Sequence, residues 1–281
     1  MKNKIVAIIA GIALIIALIG LFKVPGEVIE KQSTFDKILE KDEMMVCTMV
    51  WPESVIKDPD TGRYSGFIIE ILEEIARDAD LDVKIIESTW GGFPADLNTG
   101  KCDAAIAGIY PTIGRSTSIS FTEPFFFAGN SGAVRADDNR FKTINDLNQN
   151  DVKIAVIQGE FGHIYAKKYL PKAELLVLDK SSDNSLPLTA VTSGKADVGL
   201  IMSDVVDGYV KEHPEVKKVF DGEPYSTTPI AWGVRTEDQE LLNFLDNAIA
   251  YLKATGFLDA TAEKYEPEGW YTLKQEYDAL S

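Results

Sequence analysis

The chain has 281 residues but only two cysteines and two histidines, and its 28 Lys and Arg are outnumbered by 44 Asp and Glu. Each shortage closes off a class of function. Cys47, Cys102, His163 and His213 do not make up a ligand set for a metal ion, so no metal and no cofactor are expected. The net charge is −16, and the only charged residues among the first 23 are Lys2, Lys4 and Lys23, so the remainder is more acidic still. Such a surface repels phosphate backbones and anionic lipid headgroups, which sets nucleic-acid binding aside. No spacing of Ser, His, Cys and Asp reads as a catalytic constellation, and an enzyme is not the expectation. An exported compartment permits a disulfide. Cys47 and Cys102 sit in or beside expected core strands, however, so two buried free thiols are expected.

The apolar fraction of 45% and charged fraction of 26% are those of an ordinary globular protein, with enough chain for two lobes with real cores. At the N-terminus, Lys2 and Lys4 precede the uncharged stretch Ile5 to Phe22. As a helix it spans roughly 27 Å, near the hydrocarbon thickness of a bilayer. Its N-terminal flank is the more positive, so the bulk of the chain is expected outside the cytoplasm. The stretch ends in Gly20-Leu21-Phe22-Lys23-Val24-Pro25 without a clean small-x-small site, so an uncleaved anchor is favoured over a signal peptide. No Cys follows it, which argues against a lipoprotein anchor. Residues 24–35 read as a tether.

One motif occurs twice, as TGKCDAAI at residues 99–106 and SGKADVGL at 193–200. In each, a helix ends on a Gly (Gly100, Gly194), where a left-handed C-cap costs least. A Lys and, two residues on, an Asp (Asp103, Asp197) precede a short apolar run that suits a strand buried in a parallel sheet. Two such junctions 94 residues apart imply two similar α/β lobes with a cleft between them. Apolar spacing at Ile68, Ile71, Leu72, Ile75 and Ala76 predicts a helix, and Asp58 to Gly62 a turn. Strands are expected at Met44 to Val50, Ala104 to Ile109, Lys153 to Ile157, Val198 to Met202, Val219 with Phe220, and Ile230 to Val234. Phe125 to Val134 and Tyr225 to Pro229 read as crossings between lobes. Lobe one is then 36–130, lobe two 131–228, and 229–281 a return to lobe one with a polar and aromatic tail.

Several stretches together resemble the type II periplasmic solute-binding proteins of the polar amino-acid kind. They are Gly62-Arg63-Tyr64-Ser65-Gly66-Phe67, LNTGKCDAAIAG, TIGRSTSISFTEPFFFAG, Gly132-Ala133-Val134-Arg135, SGKADVGL and ATGFLDATAEKY, and the similarity covers roughly residues 36–266. The resemblance implies two lobes, each a mostly parallel sheet flanked by helices, joined by two crossing strands and closing on a ligand. It places the carboxylate-binding Arg at Arg115, whose planar guanidinium suits two parallel charge-assisted bonds. Aromatic covers fall at Trp51 and Trp90, the latter with an equally good reading as core. The loop donating backbone N–H groups is Ala107-Gly108-Ile109-Tyr110, with Thr112 beyond. Ala107 and Tyr110 replace hydroxyl donors usual in the family. In lobe two the Gly-rich loop is Gly159-Glu160-Phe161, where a Glu repels a carboxylate but holds an amine. The family's amine-binding Asp aligns with Met202, which accepts no strong hydrogen bond. Asp204 is its candidate substitute, although its ordinary reading is a helix N-cap.

The expectation is thus a monomeric, extracytoplasmic binding protein, held at the membrane by its N-terminal helix, that captures a small carboxylate-bearing solute for an ABC transporter permease. Two alternatives remain. The fold also resembles cyclohexadienyl dehydratases, which eliminate water and CO₂ from prephenate or arogenate; a general acid would fall near His163 or Glu160. A sensor module is the other, but only Met1 to Lys4 precede the apolar stretch, so signalling would need a partner.

Overall fold

The computed structural model describes residues 32–51, 54–179, 183–265 and 270–271. The apolar N-terminal stretch expected to anchor or export the chain, and the tether as far as residue 31, lie outside them. Among the described residues no helix is long and apolar enough to cross a membrane. Residues from Thr34 onward form one structural unit.

That unit opens with helix α1 (Thr34–Lys41), which corrects the boundary drawn for the tether. Ile38 buries its side chain there, and the Thr34 hydroxyl donates to Asp238 at 2.7 Å, so this turn belongs to the body of the protein. Strand β1 (Glu43–Thr48) leads to the hairpin β2 (Ile56–Lys57) and β3 (Tyr64–Ser65). In its turn the Asp58 carboxylate accepts the N–H groups of Asp60 and Thr61. Helix α2 (Phe67–Asp78) buries the expected face. Strand β4 (Asp82–Glu87), helix α3 (Phe93–Asn98) and strand β5 (Ala104–Ile109) complete a first parallel trio. A one-turn 3₁₀ segment (Arg115–Thr117) and β6 (Ile119–Phe121) precede the long strand β7 (Phe126–Arg135).

The second trio is β8 (Lys153–Ile157), helix α4 (Phe161–Tyr169), β9 (Glu174–Leu178), helix α5 (Leu186–Thr192) and β10 (Val198–Met202). Helix α6 (Ser203–Glu212) and β11 (Val216–Lys218) lead to the second long strand, β12 (Ser226–Arg235). Helices α7 (Gln239–Ala254) and α8 (Phe257–Tyr265) follow, and a two-residue strand, β13 (Trp270–Tyr271), adds to β7. The strand expected at Val219 and Phe220 is not formed. Phe220 has φ 58° and begins a 3₁₀ turn, a backbone that cannot continue a ladder, and the pairing residues are Val216, Lys217 and Lys218.

The strands run in the order β4-β1-β5-β12-β7-β10-β8-β9, and the order is nearly palindromic. In the first subsheet β1 lies parallel between β4 and β5; in the second β8 lies parallel between β9 and β10. Each trio then meets a long antiparallel strand, β5 against β12 and β10 against β7. The N-terminal halves of β7 and β12 pair with each other, from Ser226 opposite Asn130 to Ile230 opposite Phe126. These are the two crossing strands.

The repeated motif does the same work at both trios. Gly100 (φ 73°) and Gly194 (φ 71°) turn the chain out of α3 and α5 in the left-handed region that a side chain disfavours. The motif Asp then clamps the middle strand. Asp103 N–H donates to the Met45 carbonyl and its carboxylate accepts the Met45 N–H; Asp197 and Lys153 do likewise. An Arg at the end of each long strand completes the match. Arg235 donates to the Cys102 carbonyl at 2.8 Å, and Arg135 to the Ala196 carbonyl at 3.1 Å.

Cys47 and Cys102 form a disulfide with Cα atoms 5.6 Å apart, against the expectation of free thiols. Both are fully buried, as expected. The reason they pair is tertiary: β1 and β5 are adjacent, with Cys47 opposite Ala105, so the turn before β5 lies beside β1.

Candidate functional site

The candidate site lies where the C-terminal ends of β1 and β5 face those of β8 and β10, the usual location for a ligand crevice in a parallel sheet. Trp51 follows β1 and is buried. Its indole N–H crosses to the second subsheet and donates to Asp204 Oδ2 at 2.7 Å. Trp90 is also buried and meets Trp51 edge to face, with ring centroids 5.6 Å apart. Trp90 therefore belongs to core and crevice wall alike.

Ala107, Gly108 and Ile109 are residues of β5 itself, so the donor loop expected from Ala107 onward begins only after Ile109. The apolar run Ala104 to Ile109 is uninterrupted and buried throughout, which extends the strand. Tyr110 is the first residue past it. Its hydroxyl donates to Asn130 Oδ1 at 3.4 Å, and its ring lies 5.6 Å from that of Phe161 across the crevice. Burial drives the Tyr110 phenol well above its ordinary pKa, and the nearby Glu160 and Asp204 charges add to the effect. It is neutral at working pH.

Thr112 accepts the Arg115 N–H through its hydroxyl at 3.3 Å, at the start of the 3₁₀ turn that carries the guanidinium. Arg115 points inward. Its guanidinium donates to the carbonyls of Tyr110 at 3.1 Å, Trp90 at 3.5 Å and Gly159 at 3.4 Å, the last in the second subsheet. The Phe93 ring lies 5.2 Å from its Cζ. Burial pulls the Arg115 pKa down, and Glu160 and Tyr110 partly restore it. An arginine remains charged under such a pull.

Across the crevice, Gly159 (φ 83°) donates its N–H to His163 Nδ1 at 3.1 Å. Glu160 is 4% exposed and occupies the N-cap position of α4 without capping it through its side chain. Phe161 packs between Tyr110, Tyr165 and Tyr225. Met202 ends β10 and is buried. Asp204 is not an N-cap: α6 starts at Ser203, and Asp204 lies within its first turn with Oδ1 accepting the Val205 N–H at 2.7 Å. The structure thus brings Trp51, Trp90, Tyr110, Arg115, Glu160, Phe161 and Asp204 to one place.

Four further residues border it that the sequence reading did not single out. Asn130 and Thr228 sit on the crossing strands, buried, with Asn130 Nδ2 donating to Thr228 Oγ1 at 3.1 Å. Phe93 underlies the guanidinium, and Tyr225 packs on Phe161. An amide in the apolar run around Phe126 to Val134 was the signal available for Asn130. Among the described residues no group of three or more His, Cys, Asp or Glu is placed to hold a metal ion.

The model of the bacterial extracellular solute-binding proteins, family 3, matches residues 44–268 of this chain. The chain belongs to that family. The family match covers all the residues of the crevice. Amino-acid-binding protein AabA of Dichelobacter nodosus is 32% identical over 213 residues, covering 73% of this chain and 81% of AabA. The cyclohexadienyl dehydratase of Pseudomonas aeruginosa is 23% identical over 245 residues, covering 86% and 89%. Among solved structures, the ancestral amino acid-binding protein AncCDT-1, a precursor of cyclohexadienyl dehydratase, superposes with a TM-score of 0.73 at 31% identity, covering 83% of this chain and 99% of AncCDT-1. The α/β architecture with its mixed central sheet is that of the type II periplasmic binding proteins.

Proposed function

We propose that this protein binds a small, carboxylate-bearing, amino-acid-like solute between two lobes outside the cytoplasm and delivers it to an ABC importer. The lobes would be residues 36–130 with the return from 229, and residues 131–228. The observation that carries the reading is the position of Arg115. It is an inward-facing guanidinium whose hydrogen bonds, among the described residues, go to neutral carbonyls of both subsheets. Neutral carbonyls leave its charge uncompensated by a bonded acid, and a ligand carboxylate would supply the counter-charge with two parallel bonds. Trp51, Trp90 and Phe161 would enclose the rest of the ligand. The buried disulfide accords with an oxidising, extracytoplasmic compartment.

Titration calorimetry of the purified chain with a panel of amino acids and dicarboxylates tests this. A ligand is expected with micromolar or tighter affinity, and Arg115→Ala is expected to abolish the heat. An Arg115→Ala protein that binds as well as the parent rules the reading out.

A dehydratase is the second reading, favoured by the similarity to the Pseudomonas enzyme and by the buried Glu160 carboxyl. His163 suits the acid role poorly. Its Nδ1 accepts the Gly159 N–H, and burial, with Lys167 nearby, holds its pKa below the ordinary value. The same preparation incubated with prephenate is expected to form no phenylpyruvate.

A further inference from the structure

Strand β7 is paired along both edges, and residues with two partners show which strand lies on which side. Val134 is opposite both Val198 of β10 and Lys217 of β11, so β10 and β11 flank β7 from opposite sides. Asn130 is opposite both Met202 of β10 and Ser226 of β12, so β12 shares the side of β11. Ala128 is opposite both Thr228 of β12 and Trp270 of β13, so β13 shares the side of β10. β10 ends at Met202, opposite Asn130, and β13 takes up the same edge at Ala128 and Phe127. That is where β7 crosses between the subsheets. On the other edge Pro229 stands opposite Phe127 and has no N–H to offer it. Among the described residues the crossing is otherwise a two-stranded ribbon at these positions.

The chain that delivers β13 is fastened to the first subsheet. Helix α8 packs on α2, which itself lies on β4 and β5. The Tyr265 hydroxyl donates to Glu70 Oε2 at 2.7 Å, the Lys264 ammonium donates to the same oxygen at 2.6 Å, and the Tyr265 ring lies 6.3 Å from that of Phe67. Five residues after this anchor, Trp270 pairs with the crossing. The family match ends at residue 268, before β13 begins.

Hinge motion is absorbed by backbone rotation at a few residues. A residue paired on both edges rotates less freely, because the rotation breaks hydrogen bonds on either side. Resting on the two-lobe reading, we propose that β13 is a strap across the hinge. It adds a third strand to the crossing, holds Phe127 and Ala128 from both sides, and limits how far the two lobes part.

Two variants test the strap. One ends at Tyr265. The other keeps its full length and carries Trp270→Pro with Tyr271→Pro, which removes both amides of β13. Hydrogen exchange of Phe126–Asn130 reads the pairing. It is expected to quicken at least about 10-fold in both variants, with exchange in β8 unchanged. Spin labels on Ile113→Cys, at a position 85% exposed beside Arg115, and on Ile164→Cys, exposed on α4, read the span of the crevice. The distance between them is expected to lengthen in both variants. Trp51→Phe, with β13 intact, is the control for opening and is expected to lengthen it too. Should the shortened chain not fold, the proline variant alone decides. Unchanged exchange overturns the pairing and the strap with it. Faster exchange with an unchanged distance overturns the strap, and a distance that lengthens in Trp51→Phe alone leaves the two-lobe reading standing. A distance that lengthens in none of the three removes the two-lobe reading along with the strap.

Discussion

At the scale of single residues, the crevice is held by polar contacts that cross it. The Trp51 N–H to Asp204 bond joins the segment after β1 to α6 over 153 residues of chain and is buried. A hydrogen bond to a charged acceptor contributes roughly 1.5–3 kcal/mol, and removing the donor leaves a buried carboxylate short of a partner. Trp51→Phe keeps an aromatic ring against Trp90 but deletes the N–H. It is expected to lower stability by about 2 kcal/mol, read from the midpoint of urea unfolding. An unchanged midpoint means that the bond is not formed in solution. Arg115→Lys is a sharper probe than Arg115→Ala, because it keeps the charge and loses the planar fork. Affinity is expected to fall by about 10-fold or more, since an ammonium cannot make two parallel bonds to a carboxylate. The sequence named Arg115 because a family pattern placed it. It left Phe93 and Asn130 unmarked, because their role depends on what folds beside them and not on any local pattern.

At the scale of elements, the repeated Gly-Lys-x-Asp motif is architectural. Its glycines turn the chain and its aspartates lock β1 and β8. Only the first copy carries a disulfide. Cys47 and Cys102 enclose a segment of 55 residues, and closing a loop of that length lowers the entropy of the unfolded chain by an amount worth about 4 kcal/mol. The segment carries Trp51, Trp90 and helix α2. Reduction under mild denaturant, or the double substitution Cys47→Ala with Cys102→Ala, is expected to lower the unfolding free energy by about 2–4 kcal/mol. Equal stability of the oxidised and reduced protein contradicts this. Strand positions were largely legible, since periodicity and glycine caps are local signals; Ala104–Ile109, Lys153–Ile157 and Val198–Met202 match residue for residue. The misplaced strand at Val219 shows the limit. Val216 is buried against β7 while Phe220 turns away with a positive φ, and neither follows from the residues alone.

At the scale of the whole molecule, the surplus of acid makes stability depend on pH. Several surface carboxylates are held below their ordinary pKa. For Asp138 the chief cause is Arg140, for Glu87 it is Lys57, and for Asp96 the Ser88 hydroxyl. For Asp197 burial pushes upward, and the Lys153 N–H with Arg140 outweighs it. A carboxyl whose folded pKa lies below its unfolded value stabilises the fold above about pH 4 and loses that contribution as the pH falls through the folded pKa. Each group is partly exposed, so each effect is small, and they act together. The urea midpoint is expected to be flat from pH 7 to 5 and to drop steadily below pH 4. A midpoint that rises on acidification shows that relief of the net charge of −16 dominates instead.

Composition, the doubled motif and the apolar periodicities by themselves determined an acidic α/β protein of two similar halves with a crevice between them, because each of those signals is local and repeats along the chain. Only the tertiary structure decided that Cys47 meets Cys102, that Trp51 holds Asp204, and that Arg115 reaches the Gly159 carbonyl. Those pairings span 55, 153 and 44 positions of chain. Sequence distance says nothing about which strands become neighbours; the order of the sheet does.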